Sequence, residues 1–472
     1  MRQDRTPLFD AIIAHNTQKK ISFHVPAHMG RPLPGFERME GQHFFAYDLT
    51  ELPGLDDLHC PVGPLKEAEE LAAGFFQARR TFFLVNGVTG GVVASHLYYG
   101  GSGKKVLLPR NAHKSHYSGI ILAGTVPVYL PVSRQEDFTL NVTVADVEKS
   151  LKKHPDAAAL FITSPGYHGV CADLPRIKEA AQEAGVPLVV DEAHGTHLCL
   201  SPLFPPGAGE AGADMWLQST HKTGGALTQG VMLHMGQKDA DYSRLSLFLS
   251  MTQTSSPSYL VLASLDEARR HLADGGRERA EEAAAFTRAL KGELAFLDGV
   301  EPVEFPAFAC DPLRLTVSTR QLGILGVDAR SFLRAQGIEV ELVGDYHLLF
   351  VISPNQPEKD FSALKLALQD LPASAPKGRQ LISPAFPYQE LPKQALLPRR
   401  ALERASETVS IEEAVGRISS QMVVPSPPGI PLLVPGEEVT MGTAEYLQEL
   451  KRKQITYHGA APDLNTLKVL KE

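Results

Sequence analysis

Three segments of the sequence place reactive groups directly after short apolar runs. Lys222 follows the run 213–218, Asp191 follows the run 187–190, and the Gly-rich turn 86–91 follows a third run. A desolvated lysine supplies the neutral amine that attacks a carbonyl carbon. A carboxylate buried at the end of a strand needs a cation nearby, for example a protonated ring nitrogen. The amides of a Gly-rich turn that opens a helix suit a phosphate.

Each segment alone also has an ordinary structural interpretation. Lys222 could be a solvated surface lysine, Asp191 an N-cap or ion-pair residue, and the turn 86–91 a helix N-cap. His194 and His197 could suggest a metal, but no carboxylate or cysteine set completes a site, so we expect none. The combination of the three segments is more specific than any one of them, because Asp191 and Lys222 are 31 residues apart and the phosphate turn lies upstream of both. This order is typical of a pyridoxal-phosphate enzyme of aminotransferase-like fold, in which the cofactor is the electron sink.

Strand-like and helix-like segments alternate around these groups. The helical patterns Val144–His154 and Leu174–Gly185 separate apolar runs. This alternation predicts an α/β domain with a mostly parallel, buried sheet, whose functional groups collect at the carboxyl ends of the strands. The predicted strands are Thr81–Val85, Lys105–Pro109, Val126–Val132, Ala158–Thr163, Pro187–Val190, Ala213–Gln218 and Gly230–His234.

The chain is expected to have five parts. We predict one helix, Leu65–Phe76, at the end of an otherwise irregular N-terminal arm, and a helix Ile411–Ile418 near the C-terminus. The parts are the arm with its helix (1–75), the large α/β domain (76–275), a smaller α+β domain (276–371), a Pro-rich linker (372–398) and a C-terminal domain (399–472).

Composition narrows the class of ligand and compartment. The chain has 472 residues, a formal net charge of −8 and no long basic run, which gives little support to a nucleic-acid or anionic-membrane surface. Its four cysteines lie far apart without a C-x-x-C pair, which favours a reducing cytosol. No run approaches the roughly 18 apolar residues of a membrane span. We therefore expect a cytoplasmic protein that binds a small molecule and neither nucleic acid nor membrane.

The sequence resembles the bacterial ornithine/lysine/arginine decarboxylases, and in particular their shorter members without the N-terminal wing domain, from about Pro7 to Gly436. The resemblance implies an aminotransferase-like (fold type I) enzyme with pyridoxal 5'-phosphate as cofactor. It also implies α-decarboxylation of a basic amino acid, arginine or lysine ahead of ornithine, to a polyamine or its precursor and CO₂. The matching motifs are Phe23–His28, Asp48–Glu51, Leu55–His59, Asn111–Ser115, Ser219–Lys222, Ser255–Tyr259, Ala263–Asp266, Pro427–Pro431 and Pro435–Glu437.

The resemblance also assigns roles to single residues. Lys222 would form the imine with the cofactor, and Asp191 would pair with the pyridinium nitrogen. His113 would stack on one face of the ring and the Ala193 methyl on the other. Ser256 would reach a phosphate in the neighbouring subunit, which implies a homodimer. The catalytic candidates are Lys222, His113, Asp191 and His221, and the further cofactor-binding candidates are Thr89, Gly90, Ala193, His194, Ser219 and Ser256.

The chain departs from the family pattern at a few positions. Val88 replaces a usual serine at the phosphate turn; the other departures are Ala27, Met29 and Ser426. Alternative functions are an aminotransferase or lyase, with Arg314 as the residue that would hold the α-carboxylate, and a non-catalytic paralogue that binds the cofactor. Acidic residues in the segment 48–57 are candidates for binding the distal cation of the substrate.

Overall fold

The structure is a computed structural model. Most of the predicted linker lies outside the described residues, as do Phe23 and Pro427 of the matching motifs. The described residues are 2–18, 24–32, 35–36, 41–136, 138–374, 391–426, 428–452, 457–459 and 464–471.

The helices of the described part have the following bounds. They are α1 (Pro7–Thr17), α2 (Pro64–Phe75), α3 (Gly87–Tyr99), α4 (Lys114–Ala123), α5 (Val144–Lys153), α6 (Leu174–Glu183), α7 (Thr220–Thr223), α8 (Tyr242–Thr252), α9 (Tyr259–Ala273), α10 (Gly276–Leu294), α11 (Gly326–Ala335), α12 (Glu358–Asp370), α13 (Pro398–Leu402), α14 (Ile411–Ala414) and α15 (Met441–Arg452). Short 3-10 helices cover Gln42–Tyr47, Leu198–Leu200, Arg320–Leu322 and Leu371–Ser374.

The strands include five-residue members of two main sheets and several two-residue pairs. They are β1 (Arg80–Leu84), β2 (Lys105–Pro109), β3 (Val126–Leu130), β4 (Arg134–Gln135), β5 (Phe138–Thr139), β6 (Ala159–Thr163), β7 (Val170–Cys171), β8 (Leu188–Asp191), β9 (Met215–Gln218), β10 (Val231–Met235), β11 (Glu301–Pro302), β12 (Ala309–Cys310), β13 (Arg314–Ser318), β14 (Leu342–Val343), β15 (His347–Val351), β16 (Ser406–Ser410), β17 (Val424–Pro425), β18 (Tyr457–His458) and β19 (Thr466–Leu470).

The central sheet of the described part has seven strands in the order β1-β10-β9-β8-β6-β2-β3. The strands from β9 to β3 pair in parallel, whereas β10 pairs antiparallel with both β9 and β1. β1 therefore runs in the same direction as β8 and β9, and the carboxyl ends of these three strands lie at one edge. The predicted mostly parallel sheet is confirmed.

Both faces of this sheet are buried. Along β6, Leu160 and Ile162 belong to one hydrophobic cluster, whereas Ala159 and Phe161 belong to another. Neighbouring residues of a strand point to opposite faces, so the two clusters are the packing layers above and below the sheet. This arrangement explains why the strands form continuous apolar runs rather than alternating ones.

Two predictions about helices were wrong. The arm is helical over α1, whose first amides are bound from far away in sequence: the N–H groups of Leu8 (3.0 Å) and Phe9 (3.4 Å) donate to Asp266 Oδ2. The helix expected over residues 411–418 ends at Ala414 instead. Val415 is extended there, and Ile418 forms a bridge to another segment.

The C-terminal part is joined to the central sheet by a buried ion pair. Arg110, which follows β2, lies 2.9 Å from Glu437, and the two side chains are 4% and 0% exposed. Arg110 also donates to the carbonyl oxygen of Pro431 at 2.8 Å. Next to this pair, the N–H of Lys114 donates to the carbonyl oxygen of Gly429 at 2.9 Å. These bonds hold the Pro-rich run of the tail against the start of α4.

The remaining strands form smaller sheets, of which the largest in the described part has the order β11-β13-β15-β14. The predicted domain boundaries stay a prediction. No helix in the described ranges is both long enough and apolar enough to cross a membrane.

Candidate active site

Lys222 lies in the one-turn helix α7, which directly follows β9. Its N–H donates to the carbonyl oxygen of Ser219 at 2.9 Å, which holds the turn that presents the side chain. Lys222 Nζ lies 3.0 Å from His194 Nε2. Lys222 is exposed as a whole residue, although its amine lies among protein groups that include His194. Burial is the largest influence on the amine and, together with the charge of Arg314, lowers the pKa of Lys222 from 10.5, although Asp191 and Glu341 oppose this.

The protonation of His194 follows from its two neighbours. Arg314 Nη2 lies 3.4 Å from His194 Nδ1 and also donates to the His194 carbonyl oxygen at 3.3 Å. A guanidinium only donates, so Nδ1 is the bare nitrogen and the ring carries its proton on Nε2, toward Lys222. Burial lowers the pKa of His194 well below 6.5, which keeps the ring neutral. This geometry suits a neutral amine at Lys222, whose lone pair accepts from His194.

Asp191 is the last residue of β8 and is 3% exposed. Its Oδ2 lies 3.2 Å from His116 Nε2, and its Oδ1 accepts from the N–H of Ala193 at 3.2 Å. Burial raises the pKa of Asp191, but the hydrogen bond from His116 and the nearby basic groups His113 and Lys222 together lower it below 3.8. The structure therefore places an ionised carboxylate beside the lysine.

His113 occupies the N-cap position of α4. Its Nδ1 accepts from the N–H of Ser115 at 3.3 Å and from the Ser115 hydroxyl at 2.9 Å. Burial lowers the pKa of His113 to about 4, so the ring is neutral near pH 7. A Cβ on Gly429, which has φ +81°, would lie 2.8 Å from His113 Cδ2. The glycine lets the tail pack against the edge of the imidazole and hold it in place.

The Gly-rich turn opens α3 at the same edge of the sheet. A Cβ on Gly90 would lie 3.1 Å from the carbonyl oxygen of Thr252, so the turn approaches a second segment closely. Thr89 is exposed in the first turn of α3, where backbone N–H groups lack helical partners. The N–H of Gly87 donates to the carbonyl oxygen of Gln229 at 3.2 Å, which ties the turn to the start of β10.

His221 and Ser219 belong to the segment 219–222 that ends with the lysine. His221 Nδ1 donates to the carbonyl oxygen of Gly230 at 3.0 Å, one residue from the contact that holds the turn. Burial lowers the pKa of His221, although its hydrogen bond to Gly230 opposes this. Ser219 is 2% exposed. The end of β9 and the phosphate turn are thus joined through the start of β10.

The structure brings most of the predicted site residues together. Lys222, Asp191, His113 and His194 act on one another electrostatically. Ser256 is exposed, and its N–H donates to Thr254 Oγ1 at 3.1 Å within its own loop. Its role in a neighbouring subunit stays a prediction. Among the described residues, no group of three or more His, Cys, Asp or Glu side chains could hold a metal ion.

The sequence analysis missed two groups near this site. His116 bonds to Asp191, and the signal for it was its position three residues after His113, on the same face of a helix. Glu341 accepts from the hydroxyl of Tyr167 at 2.5 Å, and the Tyr167 ring lies edge-on to His194 with centroids 4.9 Å apart. Glu341 is far from the other site residues in sequence, and no local pattern marks it.

Two family models match the chain. The model described as Orn/Lys/Arg decarboxylase, major domain, matches residues 6–306, and the model of the C-terminal domain of the same enzymes matches residues 381–472. The chain belongs to the Orn/Lys/Arg decarboxylase family. This membership confirms the family predicted from the motifs, and with it an amino-acid decarboxylase that acts on a basic amino acid.

Individual relatives agree with the family match. An arginine decarboxylase of Halalkalibacterium halodurans is 37% identical, over 100% of this chain and 99% of its own length. A lysine decarboxylase of Pseudomonas aeruginosa is 28% identical, over 98% of this chain and 77% of its own. The crystal structure of a Francisella novicida lysine decarboxylase superposes with a TM-score of 0.86 at 20% identity, over 99% of this chain and 81% of that one. The predicted aminotransferase-like fold is confirmed.

We expect Lys222 to react as a neutral amine at lower pH than an ordinary lysine. Because burial lowers its pKa from 10.5, more of the amine is unprotonated at about pH 8 than in a free lysine. Trace acetylation of the ligand-free protein over a pH series, followed by peptide mass spectrometry, measures the midpoint of Lys222 reactivity. In D191N, which removes a charge that favours the ammonium form, the midpoint should fall further. A wild-type midpoint at or above 10.5 would contradict the site geometry.

Proposed function

We propose that this chain binds pyridoxal 5'-phosphate through Lys222 and decarboxylates arginine. The observation that carries the proposal is the pair of groups at neighbouring strand ends: an amine with a lowered pKa after β9 and a buried, ionised carboxylate at the end of β8. Enzymes of this family depend on pyridoxal phosphate. Arginine is favoured over lysine because the arginine decarboxylase is 37% identical and the lysine decarboxylase 28%.

The residues present fit this cofactor. Lys222 supplies a primary amine for the aldehyde, and Asp191 supplies a buried anion that a protonated ring nitrogen would neutralise. The N-terminal turn of α3, whose first amides lack helical partners, and the Thr89 hydroxyl suit the phosphate. Gly90 keeps this turn free of a side chain, since a Cβ there would press on the carbonyl oxygen of Thr252. His113 offers a flat, neutral ring that the tail holds in place.

Each residue then has a defined task. The cofactor, when bound, withdraws the electron pair that departing CO₂ leaves on the substrate Cα. Asp191 keeps the proton on the ring nitrogen, because its own pKa is lowered and its charge is buried. Lys222 Nζ lies 3.0 Å from His194 Nε2 and would be held as a neutral amine by the hydrogen bond that this ring N–H donates. His113 orients the ring by packing, with Gly429 at its edge.

The structure does not favour the aminotransferase alternative, which needs a guanidinium open to the substrate. Arg314 is 2% exposed. Its guanidinium lies 3.4 Å from Asp311 Oδ2 and donates to the carbonyl oxygens of Leu313 and His194, each at 3.3 Å. These protein groups occupy the side that would otherwise face an α-carboxylate.

The proposal includes a cytoplasmic homodimer that contributes to polyamine biosynthesis. Ser256 is exposed on the loop that follows α8, where a second copy could reach it. The last residue of α8, from which this loop starts, contacts the phosphate turn of the same chain, because Asn86 Nδ2 donates to the carbonyl oxygen of Thr252 at 2.9 Å. The position of Ser256 near the phosphate turn supports a site that a second copy of the chain completes at a dimer interface.

Glu341 is the carboxylate we assign to the distal cation of the substrate. Its charge acts on Lys222. Its carboxylate is exposed and accepts from the hydroxyl of Tyr167, whose ring contacts His194. The acids expected for this role, in the segment 48–57, are engaged locally. Asp56 accepts the N–H of Val62 at 2.8 Å, for example, and it does not act on Lys222. A cation held at Glu341 would place the substrate between this carboxylate and the lysine.

We expect the purified protein, loaded with pyridoxal phosphate, to release CO₂ from arginine and to form agmatine. Lysine should react more slowly than arginine, because the lysine decarboxylase is less similar to this chain than the arginine decarboxylase, and the family resemblance places ornithine behind both. Separate assays of CO₂ and of the amine product with each amino acid measure this preference. The variant K222A should be inactive and serves as the control for contaminating enzymes. Keto-acid formation, or no product from any of the three substrates, would contradict the proposal.

We expect E341Q to raise KM for arginine about tenfold, the usual worth of a hydrogen bond to a charged group, with little change in kcat. The matched control is E339Q, two residues away, whose carboxylate is exposed and pairs with Arg334 at 2.7 Å. Its KM should stay within about twofold of wild type, as expected for an exposed pair. Equal KM values for E341Q and the wild type would remove Glu341 from the substrate site without affecting the assignment of Lys222.

A further inference from the structure

Two buried histidines lie in a row behind Asp191, and the mechanism above does not use them. His116 Nε2 lies 3.2 Å from Asp191 Oδ2, and His96 Nε2 lies 3.1 Å from His116 Nδ1. The His116 side chain is 2% exposed and His96 is 0% exposed. The row therefore connects the carboxylate to the interior of the protein and not to solvent.

The protons of this row can be placed from its chemistry. An ionised carboxylate only accepts, so His116 carries a proton on Nε2 and donates it to Asp191. With its single ring proton on Nε2, His116 has a bare Nδ1, which accepts from His96 Nε2. This leaves His96 Nδ1 as a bare nitrogen, and it is indeed a buried atom without a hydrogen-bond partner in the described structure. Burial lowers the pKa of His96 well below 6.5, so this ring stays neutral.

Packing fixes both rings in these positions. The His96 ring stacks on Phe161, with centroids 4.0 Å apart and an interplanar angle of 9°. The His116 ring meets the same Phe161 ring nearly at right angles, with centroids 5.6 Å apart. Gly119 leaves room for His96, because a Cβ there would lie 2.5 Å from His96 Cδ2. Neither imidazole can turn away without opening the contact between α3 and α4.

We propose that His116 is a positioning residue that fixes the Asp191 carboxylate toward the ring nitrogen of the cofactor, and that His96 fixes the tautomer of His116. The inference rests on the proposed cofactor. With Oδ2 held by His116 and Oδ1 by the N–H of Ala193, the plane of the carboxylate is set before the cofactor binds. A buried anion without this donor would take up a proton and lose its attraction for a protonated ring.

Cofactor affinity of the H116L variant tests this role. The apo forms of wild type, H116L and H116Q are titrated with pyridoxal phosphate and with its 1-deaza analogue, in which a carbon replaces the ring nitrogen. H116L should bind pyridoxal phosphate about tenfold more weakly or worse, the effect of losing a hydrogen bond to a charged group. Its affinity for the deaza analogue should equal that of the wild type. H116Q retains an amide donor and should recover most of the affinity.

Two further variants keep the test decisive if H116L does not fold. H96F keeps the stack on Phe161 but removes the donor to His116, and should show a smaller loss confined to pyridoxal phosphate. H234L is the matched control, since His234 is also buried in this sheet and bonds to Thr81 and Gln218 away from Asp191. It should change the affinities for both compounds equally or not at all.

The outcomes separate the inference from the proposed function. Wild type that binds no pyridoxal phosphate would overturn both. Wild type that binds it normally, with H116L unchanged for both compounds, would overturn the inference alone. Equal losses for pyridoxal phosphate and the deaza analogue in H116L would also overturn it, because a purely structural histidine would affect both compounds alike.

Discussion

The buried charge of Asp191 is the interaction on which the rest of the site depends. A carboxylate that is 3% exposed at the end of a strand is stable only if donors and cations surround it. His116 and the N–H of Ala193 supply the donors, and Lys222 supplies a nearby basic group. The same charge opposes the effect of burial on Lys222, so the properties of the amine and the carboxylate are coupled. A cofactor with a protonated ring nitrogen would supply a further positive charge next to the Asp191 carboxylate.

The sheet and the C-terminal part act together to hold this arrangement. The parallel strands bring Asp191 and Lys222 to one edge, because β8 and β9 are neighbours in the sheet. The buried pair of Arg110 and Glu437 then brings the tail to the start of α4, where Gly429 meets His113. A flat ring, a carboxylate and an amine are thereby held by three different parts of the fold, and loss of the tail contact would loosen the first of them.

Local sequence patterns predicted the groups that directly follow strands, and they did not predict contacts across the fold. Lys222 and Asp191 could be found because the apolar runs before them mark buried strands. The row from His96 to Asp191 joins residues on two helices and a strand, so the sequence does not reveal the contacts within it. The same reason hid α1, whose first amides bind the distant Asp266. The domain boundaries and the role of Ser256 stay predictions, since a single chain does not test a partner's site.

Borohydride reduction of the purified holoprotein, followed by peptide mass spectrometry, tests most directly whether the amine beside Asp191 carries the cofactor. Reduction fixes the imine as a stable pyridoxyl-lysine, whose position in the sequence can then be read. We expect the pyridoxyl mass on the peptide that contains Lys222, and lower occupancy in D191N. A pyridoxyl group on another lysine, such as Lys114 beside His113, or on none, would contradict the assignment of this site.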